Sequence, residues 1–177
     1  MHLFNIHDVH SIMRIGNSIM FDIRPLDKTY KSWAHELINR KWGPPGIVTR
    51  GKLHETAKLS GFVAIENNEP IGLITFHIEK NECEIVTLNS QKEKLGIGSA
   101  LIEAVKQAAK TCGCQRVFVI ATNDNSHALR FYQKRGFHIC AVYPNSLDVS
   151  RKLKPTIPLT GIDGIPLRDE IELEMLL

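Results

Sequence analysis

The 177-residue sequence has no long hydrophobic run, little excess of either charge and few cysteines. No apolar stretch reaches the ~18 residues of a membrane span, and the N-terminus lacks a charged start followed by an apolar core. We therefore expect a cytoplasmic protein without a membrane partner. The net charge is +3 and the basic residues are scattered, which argues against nucleic-acid binding. The length suits a single core.

The four cysteines indicate neither a metal site nor disulfides. Cys112-Gly113-Cys114 is predicted to be the turn between a helix and a strand, whereas zinc sites usually pair Cys-x-x-Cys with further ligands. Cys83 and Cys140 fall within strand patterns, where free cysteine acts as a small hydrophobe. We therefore expect reduced thiols and no metal.

A glycine pair, Gly96-Ile97-Gly98, joins a predicted strand to a predicted helix. Residues 84–88 form a short run typical of a buried strand, and from residue 99 to about 110 apolar residues recur at helical spacing. Amides of a first helical turn lack intrahelical partners and can bind an anion, and glycine lets that anion approach closely. Alone, the pattern is equally typical of a tight connection without a ligand.

A second pattern follows about thirty residues later. Residues 116–121 are rich in β-branched and aromatic side chains and predict a strand. Asn125 is placed to cap the next helix, and Gly136 is placed to end it in a left-handed conformation. The predicted order is strand, Gly-x-Gly, helix, strand, capped helix, glycine and strand.

These two patterns resemble the signatures of the GCN5-related N-acetyltransferase (GNAT) superfamily. The first signature, Gln/Arg-x-x-Gly-x-Gly/Ala, is matched by residues 93–98 except that Glu93 replaces the opening Gln or Arg. The second, Asn-x-x-Ala-x-x-aliphatic/aromatic-Tyr-x-x-x-Gly-Phe, is matched in full by Asn125, Ala128, Phe131, Tyr132, Gly136 and Phe137. The resemblance covers roughly residues 20–143.

The resemblance implies an α/β (α+β) fold. Its mixed, mostly antiparallel central sheet would carry helices on both faces in the order β-α-β-β-β-α-β-α-β-β. It also implies acetyl transfer from acetyl-CoA directly to an amine, without a covalent enzyme intermediate. The alternative is a degenerate member that binds coenzyme A as a sensing or interaction module without turnover. Retention of Tyr132 favours the enzyme.

Acetyl-CoA is the co-substrate that the resemblance implies. The glycine loop would hold its pyrophosphate and Asn125 its pantetheine arm, while the backbone of Leu88 and Asn89 would pair with the pantetheine amides as a substitute strand. The predicted cofactor-binding residues are Leu88, Asn89, Lys94, Leu95, Gly96, Ile97, Gly98, Ser99, Ala100, Asn125, Ala128 and Phe131.

Two residues are the predicted catalytic groups. Tyr132 matches the family tyrosine near the coenzyme A sulfur, and a phenol of pKa ~10 suits protonation of a thiolate, although Tyr132 could also only pack. Glu84 is the first candidate for the general base, with His77, of ordinary pKa ~6.5, or a water chain as alternatives. Trp42 and His77 are predicted to touch the acceptor, with a core role for Trp42 as the alternative.

The resemblance leaves two segments unassigned. Residues 20–177 are predicted to be one N-acetyltransferase domain, and residues 1–19 an extension that either precedes a start at Met20 or docks on the body or on a second subunit. Residues 145–168 are predicted to be an insertion before a half-exposed last strand, for acceptor recognition or homodimer contact. The acceptor is open between small-molecule and protein amines, since no acidic cluster in the sequence predicts a polycation.

Overall fold

The computed structural model describes residues 11–15, 18–92 and 94–177. Glu93 and part of the predicted extension therefore lie outside the described residues. The strands are β1 (Ser11–Ile15), β2 (Ser18–Pro25), β3 (Ile47–Thr49), β4 (Lys52–His54), β5 (Ser60–Glu66), β6 (Glu69–Glu79), β7 (Glu82–Ser90), β8 (Arg116–Thr122), β9 (His138–Tyr143) and β10 (Glu170–Leu176). The α-helices are α1 (Lys28–Trp42), α2 (Ile97–Thr111), α3 (Ser126–Gln133) and α4 (Ser146–Leu153).

The described strands form one eight-stranded sheet and one small hairpin. The sheet order is β1-β2-β5-β6-β7-β8-β10-β9, and β3 pairs with β4 in the hairpin. Strands β7 and β8 run parallel, while the other described pairs are antiparallel. This confirms the predicted fold class. Strand β1 and the β3–β4 hairpin are additions that were not predicted from the sequence.

Two asparagine-containing turns connect β5, β6 and β7 into a meander. Asn67 and Asn68 adopt φ values of 50° and 65°, and Lys80 and Asn81 adopt 49° and 62°. Paired positive φ values match the right-handed twist of a hairpin, and asparagine accepts them more readily than most residues. Strands β5 and β6 form a tight hairpin, in which Glu66 lies opposite Glu69.

The sheet has an apolar core on each face. Helix α1 packs on one face, where Leu37 and Ile38 join Val63 and Leu73 in a buried cluster. Helices α2 and α3 pack on the other face in a larger cluster. Gly72 allows the close approach of α2, because a Cβ there would lie 2.7 Å from Ile97 Cγ2. In the described residues no helix is long and apolar enough to cross a membrane.

Strands β7 and β8 separate halfway along their length. The register of β6 and β7 shifts so that Thr75 lies opposite Thr87 and Phe76 opposite Ile85, which leaves Val86 as a bulged residue. A bulge bends its strand and increases the local twist. Pairing of β7 with β8 ends at Ile85 and Val119, although both strands continue. An opening through the sheet is the result.

Candidate functional site

A cavity of about 710 Å³ occupies the opening between β7 and β8. Trp42, Val48 and Thr49 line it from the face that α1 covers, and Ala128 and Tyr132 line it from the face that α3 covers. Further lining comes from the separated strand ends, which include Thr87, Leu88, Ile120 and Ala121. We call this the main cavity. Five residues of the predicted site line it together: Trp42, Leu88, Asn125, Ala128 and Tyr132.

The loop of residues 94–96 leads into the first turn of α2 beside this opening. Gly96 is the N-cap and has φ 77°, a left-handed conformation that glycine adopts without strain. The first backbone hydrogen bond runs from Ala100 N to Gly96 O at 3.0 Å, so the preceding amides of the helix have no intrahelical partner. A Cβ on Gly96 would meet nothing within 4 Å. This turn therefore has the geometry of an anion site.

Gly98 has a different role from Gly96. A Cβ at Gly98 would lie 2.9 Å from Phe131 Cζ, so the glycine makes room for α3 to pack on α2. Arg135 stacks 3.5 Å above the Phe131 ring and donates a hydrogen bond from Nε to Ser99 Oγ at 2.9 Å. The guanidinium thus adds positive charge beside the first turn of α2. Arg135 was not predicted from the sequence.

The side chain of Tyr132 is held in place by two other aromatic rings. Its ring makes edge contacts with Phe131 and Phe137, with centroids 5.2 and 5.3 Å apart. Helix α3 begins as predicted, since Asn125 Oδ1 accepts a hydrogen bond from Ala128 N at 3.0 Å. Tyr132 is 6% exposed, and burial raises the pKa of its phenol. The hydroxyl is therefore protonated at neutral pH.

Glu84 lies behind Thr49, in a second cavity of about 410 Å³ that we call the side cavity. Thr49 Oγ1 donates a hydrogen bond to Glu84 Oε1 at 2.6 Å. His54 Nε2 lies 2.8 Å from the same hydroxyl and 3.4 Å from Glu84 Oε2. Because a hydroxyl has one hydrogen, a donation to Glu84 leaves Thr49 to accept from His54. His77 also lines the side cavity, with its ring 5.9 Å from that of His54.

Glu170 is the most deeply buried carboxylate that lines the main cavity. It is 1% exposed, and both of its oxygens accept from the backbone N–H of Arg50 at 3.1 Å. Burial raises the pKa of Glu170, and this hydrogen bond offsets only part of the rise. The pKa of Glu172 is lowered instead, because hydrogen bonds from Tyr143 and Arg116 outweigh its burial.

The insertion, residues 145–168, covers one end of the main cavity. Lys154 at the end of α4 is 5% exposed and donates from Nζ to the carbonyl oxygens of Trp42, Gly43 and Gly46, the last two at 3.0 and 2.6 Å. Asp124 accepts from Ile162 N at 2.8 Å and fills the space beside Gly161, where a Cβ would lie 2.0 Å from Oδ2. These contacts hold the insertion against the end of α1 and against the segment that follows β8.

The last strand corrects one expectation. The alternation in residues 170–176 predicts a half-exposed strand, but Glu170 and Glu172 are both buried. The β3–β4 hairpin covers this face of β10, because Arg50 binds Glu170 through its backbone and Glu172 through its guanidinium at 3.1 Å. Sequence periodicity detects an alternating strand but gives no sign of a short hairpin folded over its polar face.

Several predicted residues lie away from the main cavity. His77 and Glu84 line the side cavity, and Asn89 lies on β7 opposite Leu73. Functional candidates that were not predicted from the sequence are His54, Arg135, Lys154 and Glu170. The sequence signal for the β3–β4 hairpin was the glycine of the Arg50-Gly51 pair. The turn needs positive φ at both residues, 48° and 69°, as in a tight hairpin.

The four cysteines are free thiols. Burial raises the pKa of Cys83 and of Cys114, which keeps both protonated. Ligand atoms of Cys140, Glu172 and Glu174 lie within 4.8 Å of one another. Arg116 Nη1 already binds these carboxylates at 2.7 and 2.6 Å, so the arrangement has the character of an ion-pair network.

Known proteins are similar to this chain in sequence and in fold. The sequence profile of the Acetyltransferase (GNAT) family matches residues 21–137. The chain is 41% identical over 153 residues to uncharacterized protein YdhI of Bacillus subtilis (strain 168), covering 86% of this chain and 96% of that protein. A Bacillus subtilis acetyltransferase solved in complex with CoA has a TM-score of 0.58 at 24% identity, covering 68% of this chain and 78% of that one. A GNAT family acetyltransferase from Elizabethkingia anophelis with acetyl-CoA bound has a TM-score of 0.65 at 22% identity, covering 89% and 98%.

Proposed function

The chain belongs to the GNAT acetyltransferase family, and we propose that it transfers the acetyl group of acetyl-CoA directly to an amine. The observation that carries this proposal is the position of Tyr132, whose buried phenol lines the cavity at the opening between β7 and β8. A protein that only bound coenzyme A would not need a proton donor in the opening between β7 and β8.

The residues around the opening fit acetyl-CoA. The partner-free amides of the first turn of α2, beside Arg135, suit the pyrophosphate. The edge of β7 beyond Ile85 is not paired with β8, which suits an extended pantetheine arm with its own amides. The relatives that were solved with CoA or acetyl-CoA support the same ligand. Acetyl-CoA supplies a thioester whose carbonyl carbon an amine can attack.

Tyr132 is the proposed general acid. As the C–S bond breaks, the departing thiolate takes the phenolic proton of Tyr132. Burial raises the pKa of Tyr132, which keeps the proton available at neutral pH, and the contacts with Phe131 and Phe137 fix the ring. Positioned proton transfer of this kind contributes typically 10²–10⁴-fold to a rate.

Glu84 is the proposed general base, and Thr49 connects it to the main cavity. As the new C–N bond forms, the amine proton passes to Thr49 Oγ1 while the hydroxyl proton of Thr49 moves to Glu84 Oε1 along the 2.6 Å hydrogen bond. His54 Nε2 donates to Thr49 Oγ1 and stabilises the negative charge that develops on that hydroxyl oxygen during the transfer. The side cavity gives Glu84 and His77 a route for returning the proton to solvent.

The oxyanion of the tetrahedral intermediate is proposed to lie against a backbone N–H of β7. Thr87 and Leu88 both line the main cavity beyond the point where pairing with β8 ends. An amide N–H held in a rigid strand stabilises developing negative charge without reorganisation. No covalent enzyme intermediate is required.

Thiol release from acetyl-CoA, measured against an amine library, tests this proposal with wild type beside Tyr132→Phe and Glu84→Gln. We expect at least one amine to be acetylated, with kcat lowered about 10²-fold or more in each variant and with unchanged affinity for CoA. Undiminished kcat in both variants would overturn the mechanism. Binding of acetyl-CoA without acetylation of any amine would favour the sensing or interaction module.

A further inference from the structure

We propose that Glu170 is the counter-ion for a second positively charged group on the acceptor, so that the preferred substrates are diamines and similar dications. This inference rests on the proposed function and adds the substrate class to it. The observation behind it is a buried carboxylate that lines the main cavity and, among residues 21–92 and 94–177, has no cationic side chain within 4.0 Å.

Over the same residues, the lack of an ion pair distinguishes Glu170 from the other two glutamates of β10. Glu172 binds Arg116, Arg50 and Tyr143, and Glu174 binds Arg116. Across residues 21–92 and 94–177, no ion pair within 4.0 Å includes Glu170. Among the described residues, Glu170 accepts a hydrogen bond from Arg50 N–H, and the nearby Ser146 hydroxyl and Arg50 charge offset part of the pKa rise that burial causes, while the Arg50 guanidinium itself binds Glu172.

The two other buried charges that line the main cavity are bound by other groups, and the exposed Lys41 at its rim forms no ion pair with Glu170 within 4.0 Å. Lys154 is buried, but three carbonyl oxygens already accept from its ammonium group. Asp124 is held by Thr122 and by the backbone of Ile162. A buried charge without a partner is costly, and a ligand that brings the opposite charge removes that cost. A cation that binds in the main cavity near Glu170 is therefore stabilised by the carboxylate.

The cation at Glu170 differs from the amine that is acetylated. The attacking amine must be neutral, and a buried carboxylate stabilises the protonated form of an amine that it contacts. Glu84 has Thr49, His54 and the side cavity with which to accept and release a proton. Glu170 has no such chain among the described residues, so it suits a group that stays charged throughout the reaction.

The test compares 1,6-diaminohexane with n-hexylamine, which has the same six-carbon chain and one charge fewer. With wild-type protein and acetyl-CoA, we expect a lower KM for the diamine. Glu170→Gln keeps an acceptor for Arg50 N–H but removes the charge, so it should raise KM for the diamine about 10- to 100-fold, leave its kcat within a few-fold, and leave KM for hexylamine unchanged. Glu69→Gln, at an exposed position in β6, should change neither amine.

Two outcomes would overturn this inference: equal loss of kcat for both amines, which would make Glu170 a base, or unchanged KM for both. Calorimetric binding of 1,6-diaminohexane to the full chain with CoA present separates this inference from the proposed function. If no amine is acetylated but the diamine binds wild type and not Glu170→Gln, the proposed function fails and the cation site stands. If amines are acetylated without dependence on Glu170, the proposed function stands and the cation site fails. Unchanged CoA affinity in Glu170→Gln shows that the variant is folded.

Discussion

The hydroxyl of Thr49 lies 2.6 Å from the Glu84 carboxylate. Among the described residues, Thr49 alone lines both the main cavity and the side cavity. Glu84 is therefore separated from the main cavity by one hydroxyl group. A general base in this position acts through Thr49, and the loss of that hydroxyl should resemble the loss of the base.

Thr49→Val tests this relationship, because valine has nearly the shape of threonine and no hydroxyl. We expect kcat to fall about 10²-fold or more, because the proton of the attacking amine loses its path to Glu84. Thr49→Ser keeps the hydroxyl and should stay within a few-fold of wild type. Steady-state thiol release from pH 5 to 10 measures both. Equal activity of the valine and serine variants would contradict the relay.

Gly98→Ala should weaken the packing of α3 against α2 and destabilise the fold. The added methyl would lie 2.9 Å from Phe131 Cζ, which forces α2 and α3 apart and costs about 1–3 kcal/mol of unfolding free energy. In Gly98→Ala/Phe131→Leu, the smaller side chain makes room for the methyl. The double variant should therefore lose less stability than the sum of the two single variants, with a coupling energy of about 0.5–3 kcal/mol by urea unfolding. Strict additivity would show that the contact is relieved elsewhere.

Glu170→Gln should change the pH dependence of stability. Burial raises the pKa of Glu170 in the folded protein above its unfolded value of ~4.3. The folded state then binds more protons than the unfolded state, so the contribution of Glu170 to stability is greatest below pH ~4 and falls as pH rises through the folded pKa. Glutamine does not titrate. Relative to wild type, the variant should gain stability from pH 4 upward until the folded pKa is passed.

Urea unfolding of the ligand-free protein between pH 4 and 8 measures this difference. Glu69→Gln, which removes an exposed carboxylate, should give a curve parallel to that of wild type. A Glu170→Gln curve that is also parallel to wild type would mean that Glu170 has an ordinary pKa in the folded protein.

Lys154→Met should loosen the insertion. It removes the donor for the carbonyl oxygens of Trp42, Gly43 and Gly46, which are then left without that partner, at a cost of about 2–3 kcal/mol. Lys152→Met, at an exposed position of the same helix, is the matched control. We expect limited proteolysis within residues 145–168 to accelerate in the first variant and to stay unchanged in the second. Equal cleavage rates would show that other contacts hold the insertion.

Much of the fold was predictable because its signals are local. The cap at Asn125, the left-handed Gly96 and the asparagine turns each depend on the conformational preference of one or two residues. The predicted Tyr132 also lies in the main cavity, because the second signature fixes its helix and its place on that helix.

The rest of the candidate site depends on contacts between distant segments. Thr49 and Glu84 are 35 residues apart, and the nitrogen of Arg50 and the carboxylate of Glu170 are 120 residues apart. A three-residue strand such as β3 has too few positions to show a period, so the hairpin that brings these partners together was not predicted. Without the hairpin, the alternating glutamates of β10 were predicted to face solvent, although Glu170 and Glu172 are buried.

The ammonium of Lys154 gives a practical rule for redesigning acceptor choice. It connects the end of α4 to the carbonyl oxygens at the end of α1. Any replacement for residues 145–168 must therefore place a cation at the same three carbonyl oxygens to keep this wall of the main cavity in position. Ile157 and Ile162 line the main cavity from the same segment without such an anchoring bond from their side chains. Libraries that vary these two isoleucines and keep Lys154 should therefore yield folded proteins with altered substrates.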